Sequence, residues 1–355
     1  MKKRPEQRRL SRLRQVMKLE GIDALLVTRR EDVRYLSGFT GSAGSLLIST
    51  NRPLLITDFR YKLQARNETT GVSVLVQTTD FFSTLRDAAQ RVNADTLWFD
   101  ESALTVATLK KLKQQGLTLK GGRDLVGVLR QRKDEHELCS IRLAIKRAEE
   151  SFQELKEHIK PGITERELGL KLELLMREKG SRKPAFDTIV ASAANGAMPH
   201  ASVTDRRIRK GDLVTFDFGA EANGYFSDIT RTICVGSPTV NQQTIHALVL
   251  EAQAAAIRSI RPGVSCASVD AEVRSVIQKA GHGKHFGHGT GHGIGLMVHE
   301  GPSVSRLSQD RVEPGMVFSV EPGVYVPGWG GVRIEDLVLV TDTGVKVLTT
   351  LPREL

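Results

Sequence analysis

Apolar positions along this chain follow two kinds of pattern, and the change from one to the other divides it. Leu10, Leu13 and Met17 recur at helical spacing with Arg8, Arg9, Arg12 and Arg14 between them, predicting an amphipathic surface helix over 5–20. The arginines read as its solvated face. Short apolar runs follow at 24–27, 45–48, 54–56, 72–76 and 97–99, alternating with polar helical stretches such as 61–67 and 82–92. Runs of that kind are strands of buried type, so this part reads as a small α/β domain.

Around 126–136 the text becomes VGVLRQRKDEH, dense in charge and poor in core residues. The boundary is therefore placed there, giving one domain over 1–132 and a second over 133–355. Residues 135–179 read as helix, interrupted by the stop signal Lys160-Pro161-Gly162, with Thr164 and Glu167 as a capping box for the second stretch. From Thr188 onward the pattern becomes one of strands joined by glycine-rich turns. Val214, Phe216 and Phe218 alternate with Thr215, Asp217 and Gly219, and after the turn signal Asn223-Gly224 the alternation resumes over 226–235. A helix is predicted over 241–260, a Gly/His-rich segment at 281–295, and final strands near 316–321 and 333–341.

Composition narrows the class. A length of 355 residues suits two domains at roughly 150 residues each, and 40% hydrophobic residues exclude disorder. No run approaches the ~20 apolar residues of a membrane span. The N-terminal MKKRPEQRRLSRLRQ lacks the apolar stretch of a secretory signal. Cys139, Cys234 and Cys266 are odd in number, far apart and without zinc spacing, so a reducing cytoplasm is the simplest location. The net charge of +10 is uneven: residues 1–132 hold 24 Lys and Arg against 13 Asp and Glu, and the remainder holds 27 against 28. A basic surface can attract nucleic acid, but no recognised binding motif accompanies it, so that reading is disfavoured.

Candidate chemistry lies in the nearly neutral part. If the hairpin closes around 222–224, Asp217 and Asp228 stand roughly opposite each other, on the same face as Thr215 and Thr230. Carboxylates facing each other among apolar neighbours require a raised pKa or a cation. Glu321 ends the apolar run 317–320, and Glu335 lies within 332–340, where Arg333, Glu335 and Leu337 share one face. Five of nine histidines fall at 282, 285, 288, 292 and 299. The stretch His288-Gly-Thr-Gly-His292-Gly-Ile-Gly puts glycine at every second position, allowing backbone to approach a ligand. His282 and His285 read as bystanders on a surface loop. Carboxylates with histidine and no thiolate suit manganese, cobalt or zinc, and the oxygens suffice for two ions that would serve hydrolysis.

The segments PHASVTDRRIRKGDLVTFDFGAEANGYFSDITRT, GHGTGHGIGLMVHEGP, MVFSVEPGVY and GVRIEDLVLVT resemble the prolidase and Xaa-Pro aminopeptidase family. Upstream, DALLVTRREDVRYLSGFTGSAG and LLITDFRY resemble that family's creatinase-type N-terminal domain. The resemblance implies a small α/β N-terminal domain followed by an α+β pita-bread catalytic domain. It implies two divalent metal ions, manganese before cobalt or zinc. Asp217 would bind one ion, Asp228 and Glu335 would bridge both, and His292 and Glu321 would bind the second. Glu321 would also shuttle a proton, His200 and His299 would stabilise the tetrahedral intermediate, and Arg333 would hold Asp228 and Glu335. Tyr325 would line the site. The complete ligand set disfavours a creatine hydrolase and a non-catalytic peptide-binding relative, and the extra N-terminal domain disfavours a methionine aminopeptidase.

Prolidases carry an arginine just after the HExP motif, where it captures a dipeptide's carboxylate. Here that position reads Glu300-Gly-Pro302-Ser303, and Arg306 is the nearest cation. Ser303 therefore favours an aminopeptidase acting on peptides with proline at the second position, with the Xaa-Pro dipeptidase as the alternative. The resemblance further implies a homodimer.

Overall fold

The computed structural model describes residues 4–50 and 53–355, which form two compact units, Met1–Arg130 and Gln131–Leu355. In the first, strands β1 (Ala24–Val27), β2 (Gly44–Ser49), β3 (Leu54–Thr57), β4 (Ser73–Val76), β5 (Thr96–Asp100) and β6 (Thr118–Gly122) form one sheet. Its order is β4-β3-β2-β1-β5-β6, parallel at β3–β4, β1–β5 and β5–β6 and antiparallel elsewhere. Helices α1 (Pro5–Leu19), α2 (Arg30–Ser37), α3 (Lys62–Glu68), α4 (Phe81–Arg91), α5 (Val106–Gln114) and α6 (Leu125–Gln131) accompany it. Leu10, Leu13 and Met17 are buried on α1, as the spacing predicts, but Arg9 is buried with them rather than on a solvated face, donating to the Tyr35 carbonyl at 3.2 Å. In the apolar core, Leu26, Leu47 and Ile56 of the sheet meet Leu85 and Ala88 of α4.

The charged stretch near the boundary departs from expectation. Val126 and Arg130 of α6 are buried, and Arg130 donates to Asp32 at 2.8 Å. Lys133 and Glu137, just beyond it, are also buried, Lys133 against Glu300 at 2.7 Å. Arg130 and Lys133 are buried by pairing, and Glu137 accepts from the Asp134 N–H and the Tyr225 hydroxyl, a distinction that charge density alone does not carry.

The second unit starts with α7 (Glu135–Leu155) and α8 (Glu165–Glu178), each opened by a capping box, Asp134 with Glu137 and Thr164 with Glu167. Strands β7 (Ile189–Ser192), β8 (Leu213–Phe218), β9 (Glu221–Ala222), β10 (Tyr225–Phe226) and β11 (Ile229–Cys234) follow. Asn223 and Gly224, with φ of 51° and 83°, make the tight turn that their sequence predicts. The order β11-β8-β7 forms one sheet. Phe216 and Phe218 of β8 pack on Phe152 of α7, with centroids at 5.3 and 5.0 Å. Because side chains alternate across a strand, Asp217 faces the other way.

Helices α9 (Val240–Ser259) and α10 (Cys266–Lys279) precede β12 (Gly291–Gly293), β13 (Glu300–Val304), β14 (Val317–Val320), β15 (Gly323–Val326), β16 (Gly330–Arg333), β17 (Asp336–Val340) and β18 (Val345–Val347). The sheet β13-β12-β14-β17-β18 lies over the apolar faces of α9 and α10, where Val249, Ala252, Val273 and Ile277 meet Phe318, Val320 and Val338. The apolar run 332–340 is two strands rather than one. Arg333 ends β16, which pairs with β15, whereas Leu337 lies in β17 beside β14. Among the described residues no helix is long and apolar enough to cross a membrane.

Candidate metal centre

Four carboxylates converge because strands end beside one another. Asp217 sits in β8, where its register partners are Ile189 and Thr230. Asp228 is therefore not opposite Asp217; it lies two residues before Thr230, in the break between β10 and β11. Glu321 follows β14, and Glu335 falls between β16 and β17. The expectation of four acids on continuous inward-facing strands thus holds for Asp217 alone. A carboxylate at a strand end escapes the ladder's alternation and can turn into the cleft.

The cleft has a volume of about 900 Å³, and all four acids line it together with His200, His288, His292, His299, Ser303 and Arg333. Oxygens of Asp217, Asp228 and Glu335 lie within 4.8 Å of one another, as do ligand atoms of His292, Glu321 and Glu335. Glu335 belongs to both groups. His299 joins Asp228 and His292 in a third. His292 Nε2 lies 3.3 Å from Glu321 Oε1 and 3.6 Å from Asp228 Oδ2.

Hydrogen bonds fix these side chains while leaving oxygens unused. Thr230 Oγ1 donates to Glu335 Oε2 at 2.7 Å, and Ser319 Oγ donates to Glu321 Oε1 at 3.1 Å. Arg333 Nη2 donates to Asp217 Oδ2 at 2.6 Å, Nε to Thr230 at 3.0 Å, and Nη1 to Tyr325 Oη and the Pro199 carbonyl. Arg333 therefore holds Asp217 rather than Asp228 and Glu335. Asp217 Oδ1, Asp228 Oδ1 and Glu335 Oε1 are buried with no hydrogen-bond partner. Buried anionic oxygens without a donor are costly unless a cation takes their place, so this donor set fits divalent ions. A contrasting trio in the first unit, Asp32, Asp100 and Asp124, is already filled by the Arg29 guanidinium at 2.5–3.3 Å.

The electrostatics agree with the geometry. Burial raises the pKa of Asp228, assisted by Glu335 and Asp217, and burial likewise raises that of Glu335, assisted by Glu321. Glu321 is pushed up to about 7, chiefly by burial. Burial lowers His292 and keeps its imidazole neutral, the form that ligates metals. It opposes the charge of Arg333, but Tyr325 and Asp217 outweigh it, and the guanidinium pKa is raised.

Tyr325 does not line the cleft. It is buried, accepting from Arg333 and meeting His288 Nε2, each at 2.9 Å. His288, without a role in the sequence reading, therefore lines the cleft beside this brace, and burial pushes its pKa down to about 4. Its spacing from His292 along an extended Gly-rich segment was the available signal. His200 and His299 are exposed within the cleft, and the His299 ring meets His292 edge-on with centroids at 4.2 Å. His282 and His285 stand outside the lining. The alternate glycines are required by strand packing, since a Cβ at Gly291 would collide with the Ser319 carbonyl and one at Gly293 with the Gly301 carbonyl, and Gly289 and Gly291 also line the cleft. Ser303 is exposed beside His292 in the β12–β13 ladder, and Arg306 lies in a separate depression with Arg274 and Lys284.

Comparison with known proteins gives two family matches, the metallopeptidase family M24 over residues 139–342 and the creatinase/prolidase N-terminal domain over 9–132. The chain is 37% identical over 351 residues to the Xaa-Pro dipeptidase of Pyrococcus horikoshii, covering 98% of each. The Xaa-Pro dipeptidase structure from Bacillus anthracis superposes with a TM-score of 0.96 at 39% identity, covering 99% of each chain. The X-Pro aminopeptidase from Thermotoga maritima superposes at 0.90 with 39% identity, covering 98% of each.

Proposed function

This chain belongs to metallopeptidase family M24, with a creatinase/prolidase N-terminal domain, and on that premise we propose that it is a dinuclear-metal Xaa-Pro dipeptidase. The observation that carries the metal-dependent reading is the trio of buried, partnerless oxygens on Asp217, Asp228 and Glu335. Dipeptides are favoured as substrates because two relatives matching nearly the whole chain carry the name Xaa-Pro dipeptidase.

Asp217, Asp228, His292, Glu321 and Glu335 would hold the two ions, manganese before cobalt or zinc. Bound there, such ions would acidify water and polarise the scissile carbonyl. Glu321, which lines the cleft beside His292, would take a proton at its carboxylate and return it to the leaving proline nitrogen. His200 and His299, exposed in the cleft, would donate to the oxygen that gains charge in the transition state. Arg333 occupies one oxygen of Asp217 and thereby orients the other. Tyr325 acts at one remove, by bracing Arg333 and His288.

A second reading, an aminopeptidase on longer peptides, is supported by Ser303. Among the described residues the cleft lining holds no lysine and no arginine except Arg333, which is bound to Asp217, so none of them offers a free cation to a dipeptide's carboxylate. The Thermotoga relative carries that activity in its name. Rates on Xaa-Pro dipeptides against Xaa-Pro tripeptides decide the matter: faster dipeptide turnover supports the first reading, and faster tripeptide turnover the second. We further place the enzyme in the cytoplasm as a homodimer. A sedimentation profile showing only monomer would refute the dimer.

A further inference from the structure

We propose that the bulged segment 186–188 reads positive charge on the first residue of the substrate, with Asp187 as the charged contact. The inference rests on the reading of this cleft as an Xaa-Pro peptidase site.

The argument begins with register. Strands β7 and β8 pair at Ile189 and Asp217, yet Ala185 N donates to the Gly219 carbonyl at 2.8 Å. Four steps along one segment are matched by two along the other, so Phe186, Asp187 and Thr188 bulge from the ladder beside Asp217. Bulges of this kind re-aim side chains next to active sites. All three bulge residues line the cleft.

Their side chains are unspent. Thr188 is only 6% exposed, and its hydroxyl has no hydrogen-bond partner. Asp187 is exposed and forms no ion pair with any described residue. Glu173, half-buried on α8, also lines the cleft and likewise forms no ion pair with any described residue. Setting aside the five proposed ligands and Arg333, the ionisable lining consists of Glu173, Asp187 and the histidines 200, 288 and 299. A wall with two free carboxylates and no free lysine or arginine favours an ammonium group. On an Xaa-Pro peptide that group is the α-ammonium or the basic side chain of the first residue. The Asp187 carboxylate would accept from it, with the Thr188 hydroxyl as a neutral second acceptor.

The test compares Leu-Pro, Lys-Pro and N-acetyl-Leu-Pro on the metal-loaded protein and its Asp187→Asn variant. If the α-ammonium is read, the wild type favours Leu-Pro over its acetylated form, and the variant raises KM for Leu-Pro about tenfold, the weight of one charge-assisted contact. If the side chain is read, the wild type favours Lys-Pro over Leu-Pro by about that factor, and the variant loses the preference. In either case the effect falls on KM rather than kcat and shrinks with salt. Asp187→Lys, at an exposed position, should turn the enzyme against Lys-Pro, and Asp187→Glu should restore the wild-type pattern. Unchanged preferences in Asp187→Asn and Asp187→Lys overturn the proposal. Calorimetric binding of the same peptides separates the two claims. Charge-selective binding lost in Asp187→Asn, without turnover of any Xaa-Pro peptide, would support Asp187 and remove the peptidase reading.

Discussion

Arg333 clamps one oxygen of Asp217, Oδ2, at 2.6 Å, while the other oxygen stays buried with no partner. The guanidinium also ties Thr230, Tyr325 and the Pro199 carbonyl, so a single side chain connects β8, β11, β15 and the approach to His200. Replacing it with Met keeps the apolar stem and removes every donor. Metal affinity should fall about 10–100-fold, as for other groups that orient ligands from behind. Competitive metal titration measures it, and an unchanged affinity would remove Arg333 from the role of holding Asp217.

The metal-free protein should carry a pH-dependent instability at this site. Glu321 titrates near the ordinary carboxylate range when unfolded, and burial pushes it up to about 7 in the fold. A raised folded pKa means that the fold binds the proton more tightly. Its contribution is complete below the ordinary range and is lost as pH rises through about 7. Glu321→Gln should therefore stabilise the metal-free protein at pH 8, by on the order of 2 kcal/mol, and leave it nearly unchanged at pH 4. Denaturant midpoints at the two pH values decide this, and equal offsets at both would contradict it. With saturating divalent metal the variant should become the less stable protein, because it loses a ligand.

How much of this was legible in the sequence depends on what each feature rests upon. Local patterns were readable: the α1 stripe, the Thr164–Glu167 capping box, and the Asn223-Gly224 turn all act within a few residues. The candidate ligands were readable because acids at the ends of apolar runs stand out against their neighbours. Partnership across the fold was not. The break at Ile334-Glu335 interrupts an unbroken apolar pattern, since both β16 and β17 are buried although they belong to different sheets. That break sends Arg333 to Asp217 rather than along its own strand to Glu335. The bulge at 186–188 is equally invisible, because it exists only relative to β8.

Lys133 and Glu300 form a pair with side chains 0% and 7% exposed, joined at 2.7 Å. Glu300 follows His299 and also accepts from Met297 N at 3.2 Å, so the pair anchors the loop that carries that histidine. Lys133→Met should cost roughly 3–5 kcal/mol, because it removes a buried ion-pair partner of the Glu300 carboxylate. Adding Glu300→Gln should recover part of the loss by removing the charge. Chemical denaturation of the single and double variants measures both, and additive losses would show that the pair is not coupled.

Ser303 offers a direct test of substrate length. It lies beside His292 in the ladder and is exposed within the cleft, so an arginine there would extend into the cleft beside the proposed ligands. Ser303→Arg should lower KM for Xaa-Pro dipeptides about tenfold and leave tripeptides unimproved. Equal changes for both substrates would show that the carboxylate does not sit near Ser303.

The central claim is that the buried oxygens of Asp217, Asp228 and Glu335 exist to hold divalent cations for peptide hydrolysis. It is tested most directly by stripping the protein with chelator, adding manganese back stepwise, and following hydrolysis of an Xaa-Pro dipeptide in parallel with ion binding. Activity should vanish on stripping and return as two ions per chain bind, while folded Asp228→Asn, treated identically, should stay inactive. Full activity in the stripped protein, or in Asp228→Asn, would contradict the account.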